Sequence, residues 1–304
     1  MRLVLFAYHD IGCRAIETLL ALKQDIACVF THEDDPGENL WFGSVQELAR
    51  KKNIPVHTPP SPNTPEWVEQ IKKLNPDAIF SFYYRQLIKD EILSIPPKGA
   101  YNLHGSLLPR YRGRAPVNWV IVNGEKETGL TLHHMVKRAD AGDIVAQKSV
   151  PISDDDTALT LYHKLVPVVE TILRETVPLI ESGRAPRIAQ DESKAALVRG
   201  RKPEDGLINW TSTAQQIYNL VRAVTHPYPG AFTFYQGKKL LVWKCSKTAG
   251  KGTPGTILSA DPLTVACGEN AVILETVQPE HGAESSGKIW CSQNKIKTGS
   301  RLGG

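Results

Sequence analysis

Between residues 3 and 82 short apolar runs alternate with amphipathic stretches, and few folds accommodate that alternation. Residues 3–8 are almost continuously apolar, the pattern of a strand buried on both faces. A turn, His9-Asp10-Ile11-Gly12-Cys13, precedes apolar positions at helical spacing in residues 16–22. Residues 26–30 read as a second strand, residues 44–52 as a helix capped by Ser44, and Val56 as a short strand after Pro55. Thr64 caps a helix over residues 65–74 with proline at its first position. Residues 78–82 form a further strand and residues 87–93 a further helix. Strands recurring between helices predict a doubly wound, mostly parallel, Rossmann-like α/β sheet. Such sheets meet their ligands at the carboxyl ends of the strands, near the switch in strand order.

The 304 residues exceed what one core usually organises, and the pattern changes along the chain. Asp154-Asp155-Asp156-Thr157 opens a long helix to about residue 182, which Pro167 and Pro178 are expected to kink or split. The acidic run reads as capping charge rather than a metal site. Residues 184–205 are polar and patternless, as a linker would be. Thereafter Ser212 or Thr213 caps a helix to about Val224, and dense short strands separated by Gly, Pro and Asp turns follow. This predicts a small antiparallel, OB-like β-barrel. The expected division is a catalytic domain at 1–188, a linker at 189–204 and the barrel domain at 205–304. The polar, glycine-rich tail after Gly282 is expected to be disordered.

Composition narrows the partners. A charged fraction of 22% and a net charge of +4 describe an ordinary globular protein and suit anionic small molecules as well as nucleic acid. No apolar run has the length of a membrane span, and the first residues do not form a signal peptide. Five cysteines without metal-type spacing point to a reducing, cytoplasmic setting with no disulfide and no structural zinc. The first turn holds one glycine, Gly12, where a dinucleotide fold needs G-x-G-x-x-G, so no NAD site is expected. The helix start there offers free N–H groups to an anion, although Gly12 could merely permit a tight turn.

Residues 101–143 concentrate the chemistry. Asn102 and His104, two apart on a strand, project to one face. If the strand ending near residue 136 is a parallel neighbour, Asp140 lands beside His104. An imidazole base, an amide donor for a developing oxyanion and an orienting carboxylate together suit acyl transfer without a covalent intermediate. Ser106 lacks the G-x-S-x-G elbow of a nucleophile and is expected to tie down its loop. Each group has a plainer alternative: a structural histidine, a loop-capping Asn102, an Asx-turn at Asp140, and a solvated basic loop at Arg110, Arg112 and Arg114.

The string Asn102-Leu103-His104-Gly105-Ser106-Leu107-Leu108-Pro109, with Asn123-Gly124-Glu125 and Asp140-Ala141-Gly142-Asp143 beyond it, resembles the folate-dependent formyltransferases. Arg222-Ala223-Val224-Thr225-His226-Pro227-Tyr228-Pro229-Gly230 resembles the turn in the second domain of the methionyl-tRNA and sugar members, so the similarity covers nearly the whole chain. Residues 6–20, 31–45, 80–88 and 133–147 are most similar to the branch that formylates UDP-4-amino-4-deoxy-L-arabinose in polymyxin resistance. The resemblance implies His104 as proton shuttle, Asn102 as oxyanion stabiliser and Asp140 as the group that tunes the histidine. It implies a 10-formyltetrahydrofolate pocket lined by Gln86, Leu87, Ile88, Arg114, Val136, Lys137, Arg138 and Ala139, with no metal. Members of that branch continue into a decarboxylating dehydrogenase domain near residues 299–302, so such a domain is expected to be missing here. The UDP-amino sugar is expected to meet Tyr8, Gly12 and Arg201. The alternatives are methionyl-tRNA formylation, which would need a more basic face, and an inactive folate-binding module.

Overall fold

Burial on both faces makes β1 (Arg2–Ala7) an interior strand of the first sheet, with Leu3, Val4, Leu5, Phe6 and Ala7 fully buried. The computed structural model describes residues 1–33 and 40–303; Asp34 and Asp35, whose negative charge counts against the basic face a tRNA would need, lie outside the described residues. The chain continues through α1 (His9–Ala21), β2 (Asp25–Phe30), α2 (Val45–Lys51), β3 (Val56–His57), α3 (Pro65–Leu74) and β4 (Ala78–Phe82). Then follow α4 (Asp90–Leu93), β5 (Ala100–His104), β6 (Arg112–Gly113), α5 (Pro116–Val122), β7 (Glu127–His134), β8 (Ile144–Pro151), α6 (Ala158–Glu181) and β9 (Leu197–Val198). The seven-stranded sheet has the order β3-β2-β1-β4-β5-β7-β8. Strands β1 to β5 pair in parallel, so the Rossmann-like expectation holds, and strand order switches between β1 and β4.

Four local expectations are corrected. Strand β7 is antiparallel to β5, not parallel, with Asn102 opposite His133 and His104 opposite Thr131. An antiparallel edge is a common addition to a parallel sheet. Helix α1 begins at His9 with no intervening turn, and Gly12 lies inside it, where a Cβ would stand 3.0 Å from both Ala7 Cβ and Val45 Cγ2. Gly12 is therefore a close-packing residue. Helix α4 holds only Asp90–Leu93, since Ile88 is already committed to the core beside Ile92. Helix α6 runs unbroken through Pro167 and Pro178. Its buried stripe of Leu165, Val169, Ile172, Leu173, Val177 and Ile180 holds the helix together against a cost of about 3 kcal/mol per interior proline.

Ser44 and Thr64 cap as expected, accepting from Glu47 N at 3.4 Å and Trp67 N at 3.5 Å. The core on one face of the sheet packs Val4, Phe6, Cys28, Phe30, Ile71 and Ile79 together, with Phe6 and Phe30 stacked at 4.9 Å.

Packing divides the chain into two units, residues 1–116, 127–151 and 162–199 forming the first and residues 117–126, 152–161 and 200–304 the second. The second contains α7 (Ala214–Val224), capped by a reciprocal Thr213–Gln216 box, and the strands β10 (Ala231–Tyr235), β11 (Lys238–Thr248), β12 (Ile257–Ala260), β13 (Leu263–Ala266), β14 (Ala271–Pro279) and β15 (Ser285–Ser286). These pair antiparallel in the order β10-β11-β14-β13-β12, with β15 on β14.

The tail after Gly282 differs from expectation. It forms β15 and α8 (Gly287–Gln293), then returns along the sheet. Ile257 N donates to Ser300 O at 2.8 Å, Leu302 N to Gly255 O at 2.8 Å and Gly303 N to Phe234 O at 2.8 Å. Trp290, Cys291, Ile296 and Leu302 are buried, so a few apolar residues within a polar stretch suffice to order it. Its bonds reach both β10 and the β12 end, bridging the two edges of the sheet.

Candidate active site

The side chains of interest sit at one place on β5, set by its alternation. Tyr101 and Leu103 are buried in the sheet, while Asn102 and His104 share the other face. The loop after β5 is tied down: Ser106 Oγ donates to Arg110 O at 2.7 Å, Thr131 Oγ1 donates to Ser106 O at 2.6 Å, and Leu108 N donates to Thr131 Oγ1 at 3.1 Å. Ser106 is fully buried and spent on this fastening, as expected of it.

That fastening brings the carbonyl of Tyr111 to 2.8 Å from His104 Nε2. A carbonyl only accepts, so Nε2 carries the ring proton and the lone pair rests on Nδ1. Nδ1 lies 3.5 Å from Asp140 Oδ1. Tyr111 thus fixes the tautomer, and Asp140 faces the nitrogen that holds the lone pair. Burial pushes the His104 pKa below its ordinary value and outweighs the opposing pull of Asp140 and of the Tyr111 carbonyl. The ring is neutral at pH 7, and a proton taken up at Nδ1 would face the Asp140 carboxylate.

Asp140 reaches this position on the loop after β7, in the left-handed region at φ 55°. Burial opposes its ionisation, yet attraction to the His104 and His133 rings when they carry a second proton, together with the Gly113 N–H, which donates to Oδ2 at 2.9 Å, holds the carboxyl well below the usual range. Asn102 Nδ2 donates to His133 Nε2 at 3.1 Å and to Asp140 Oδ1 at 3.4 Å. His133 is buried and 3.6 Å from Asp140 Oδ1. The structure therefore brings Asn102, His104 and Asp140 together and adds His133, Gly113 and Tyr111, none of which sequence reasoning had singled out. His133 was discoverable from an antiparallel register, which places it opposite Asn102.

The positions expected to hold the folate are less uniform. Leu87 and Val136 are exposed large apolar side chains, and their chain neighbours Ile88 and Met135 share one core cluster. Ile88 itself is buried there. Gln86 Nε2 donates to Pro60 O at 2.8 Å, and the Arg114 side chain is exposed while its N–H donates to Val198 O at 3.1 Å. Lys137, Arg138 and Ala139 are exposed, with Arg138 Nη1 3.0 Å from Glu192.

At the strand-order switch, Arg85 lies over the Tyr8 ring at 4.7 Å and beside His9 Nε2 at 3.5 Å, while His9 stacks on Phe42 at 3.6 Å. Burial and Arg85 lower His9 to about 3 and His32 to about 4. Gly12 is enclosed in α1, and Arg201 belongs to the second unit, where it covers the Trp119 ring at 4.7 Å and donates to Asp205 O at 2.9 Å. Among the described residues no group of three His, Cys, Asp or Glu could hold a metal, and no helix is long and apolar enough to cross a membrane.

A mixed α/β sheet with a neutral histidine at the end of β5 and a half-buried carboxylate beside it, from the loop after β7, defines a class, and family models place the chain within it. Residues 6–177 match the formyl transferase model and residues 201–295 the formyl transferase C-terminal domain. The chain belongs to the formyltransferase family. Similar solved structures include the N-formyltransferase from Helicobacter canadensis in complex with folinic acid and dTDP-3-aminofucose, at 20% identity and TM-score 0.68 over 90% of this chain and 98% of that one. HypX from Aquifex aeolicus, in complex with tetrahydrofolic acid, is 17% identical with TM-score 0.65 over 98% of this chain, which spans 48% of HypX. Methionyl-tRNA formyltransferase from Clostridium thermocellum is 20% identical with TM-score 0.59, over 83% of this chain and 95% of that one.

Proposed function

We propose that the chain transfers the formyl group of 10-formyltetrahydrofolate to the 4-amino group of UDP-4-amino-4-deoxy-L-arabinose, in the cytoplasm. The observation that carries this reading is the buried, neutral His104 with its free lone pair 3.5 Å from Asp140, on the strand that carries Asn102, in a chain of this family. The sugar nitrogen attacks the formyl carbon, a new C–N bond forms, and the bond from that carbon to the folate nitrogen breaks. His104 takes the proton from the amine and returns one to the departing nitrogen. The imidazolium formed in between is stabilised by Asp140. Asn102 serves the formyl oxygen by exchanging its longer N–H contact, the 3.4 Å one to Asp140, for the developing oxyanion.

The exposed Leu87 and Val136 suit the apolar rings of a folate, and Gln86, Arg114 and residues 136–139 complete its pocket. Tyr8 is buried beneath Arg85, and the exposed Arg85 at the switch point offers a cation for the nucleotide; the Helicobacter enzyme was solved with a nucleotide-linked amino sugar and a folate. Incubation with formylfolate and a panel of UDP-4-amino-4-deoxy-L-arabinose, a dTDP-3-amino sugar and methionyl-tRNA tests the assignment by mass spectrometry. Formylation of methionyl-tRNA alone would replace it, and formylation of nothing would favour an inactive folate-binding module.

A further inference from the structure

The patternless stretch before residue 199 runs along the back of the acid–base cluster. Ile188 pairs with Ile144 in both directions, at 2.8 and 3.0 Å, and β9 pairs with β6 in parallel at the other end. Between these anchors Gln190 turns its amide inward. Gln190 Nε2 donates to Asp140 O at 2.8 Å and to Gly142 O at 2.7 Å. Gln190 Oε1 accepts from Arg112 Nε at 3.0 Å and Arg112 Nη2 at 2.7 Å, and the buried Arg112 also forks onto Glu192 at 2.7 and 3.1 Å. Gln190 Nε2 thus holds the backbone that carries the carboxylate, while its Oε1 is anchored by Arg112.

We propose that Gln190 is a positioning residue for formyl transfer, clamping Asp140 by its own carbonyl so that its carboxylate stays against His104. Asp140 needs such a clamp. Its left-handed backbone, at φ 55°, is strained for a residue other than glycine and persists only where the surroundings enforce it. The loop from Met135 to Asp143 has exposed residues from Val136 to Ala139, and the contact there from Arg138 to Glu192 is between two exposed side chains. The Gly113 N–H fixes one carboxylate oxygen from β6, and β6 is in turn held by β9. Gln190 fixes the main chain of the same residue, and both restraints originate in the segment from 188 to 198.

The proposal rests on Asp140 belonging to the formyl-transfer centre, and its test has one arm independent of any acceptor. In Gln190→Ala, kcat and kcat/KM fall together by about 100-fold, the cost of misplacing a reacting group by about 1 Å. Gln190→Glu separates positioning from mere anchorage, because it keeps the acceptor for Arg112 but loses both donors to the Asp140 loop; it falls as far as the alanine variant. Nitrogen-15 spectra of the His104 ring supply the independent arm. That ring is faced by Asp140, His133 and the Tyr111 carbonyl, and displacement of Asp140 removes the charge that raises its pKa, so its titration moves to lower pH in either variant. Unchanged His104 titration in a folded Gln190→Ala, or wild-type kcat in Gln190→Glu, overturns the proposal. Failure of the wild type to formylate any acceptor would overturn the substrate assignment and leave the ring titration to decide on Gln190.

Discussion

Asn102 and His133 face each other across β5 and β7, the amide Nδ2 standing 3.1 Å from the ring Nε2. His133 Nδ1 donates to His134 O at 2.9 Å, so Nε2 must accept, and only the nitrogen end of the Asn102 amide can face it. His133 therefore dictates which way the amide points. His133→Phe removes that acceptor inside a buried site, a loss of about 1–3 kcal/mol. Steady-state kinetics should show kcat lowered by about tenfold to a hundredfold, with His133→Gln retaining more activity because it keeps an acceptor.

The buried His104 sets the pH dependence. Its pKa lies below the ordinary histidine value because burial disfavours the charged ring, so kcat/KM is level through neutral pH and falls on an acidic limb below about 6.5. Asp140→Asn removes the charge that raises this pKa. The limb then moves to still lower pH, while the level rate drops by about 10²–10⁴-fold because the imidazolium has lost its partner. A limb that moves to higher pH would contradict the assignment of Asp140.

Much of the centre is legible in the sequence alone, and the reason is periodicity. Alternation on β5 put Asn102 and His104 on one face whatever lay beside them, and the apolar run of β1 announced a doubly buried strand. What stayed hidden depended on register and on backbone donors. The connection from β5 to β7 contains α5, a length that suits either direction of return, so His133 was not placed opposite Asn102. Gln190 lay in a polar stretch without a repeat, and no periodicity marks a residue that works through two carbonyls. Tyr111 and Gly113 act through main-chain atoms, which no side-chain motif encodes. Gly12 shows the converse: a glycine after a strand suggested a turn, and its use was close packing against Ala7 and Val45.

Histidines kept neutral by burial make the fold acid-sensitive. His9 is lowered to about 3 and His32 to about 4, against about 6.5 when unfolded. Between those values the unfolded chain binds more protons, so stability is complete above about pH 6.5 and declines as pH falls toward 4. The depressed carboxyl of Asp140 adds a separate loss only as pH falls through the ordinary carboxylate range and below. His9→Asn, chosen because asparagine tolerates the left-handed backbone at φ 60°, should flatten the decline of Tm between pH 6.5 and 4.

The ordered tail is testable by itself. Leu302 is 1% exposed and sits between backbone bonds from Leu302 N to Gly255 O and from Gly303 N to Phe234 O. Leu302→Ala should cost about 2–5 kcal/mol in denaturant unfolding, as a buried leucine does. A tail without structure would give no change.

Formyl transfer through His104 is tested most directly with formylfolate carrying carbon-13 in the formyl group. After incubation with UDP-4-amino-4-deoxy-L-arabinose, mass spectrometry of the sugar should show one added formyl group bearing the label, and NMR should place it on the 4-amino nitrogen. Folded His104→Ala should transfer it slower by about 10²–10⁴-fold, and Asn102→Ala by about 10²–10³-fold. An unlabelled sugar with the wild-type protein, or transfer at the wild-type rate by His104→Ala, would contradict the account.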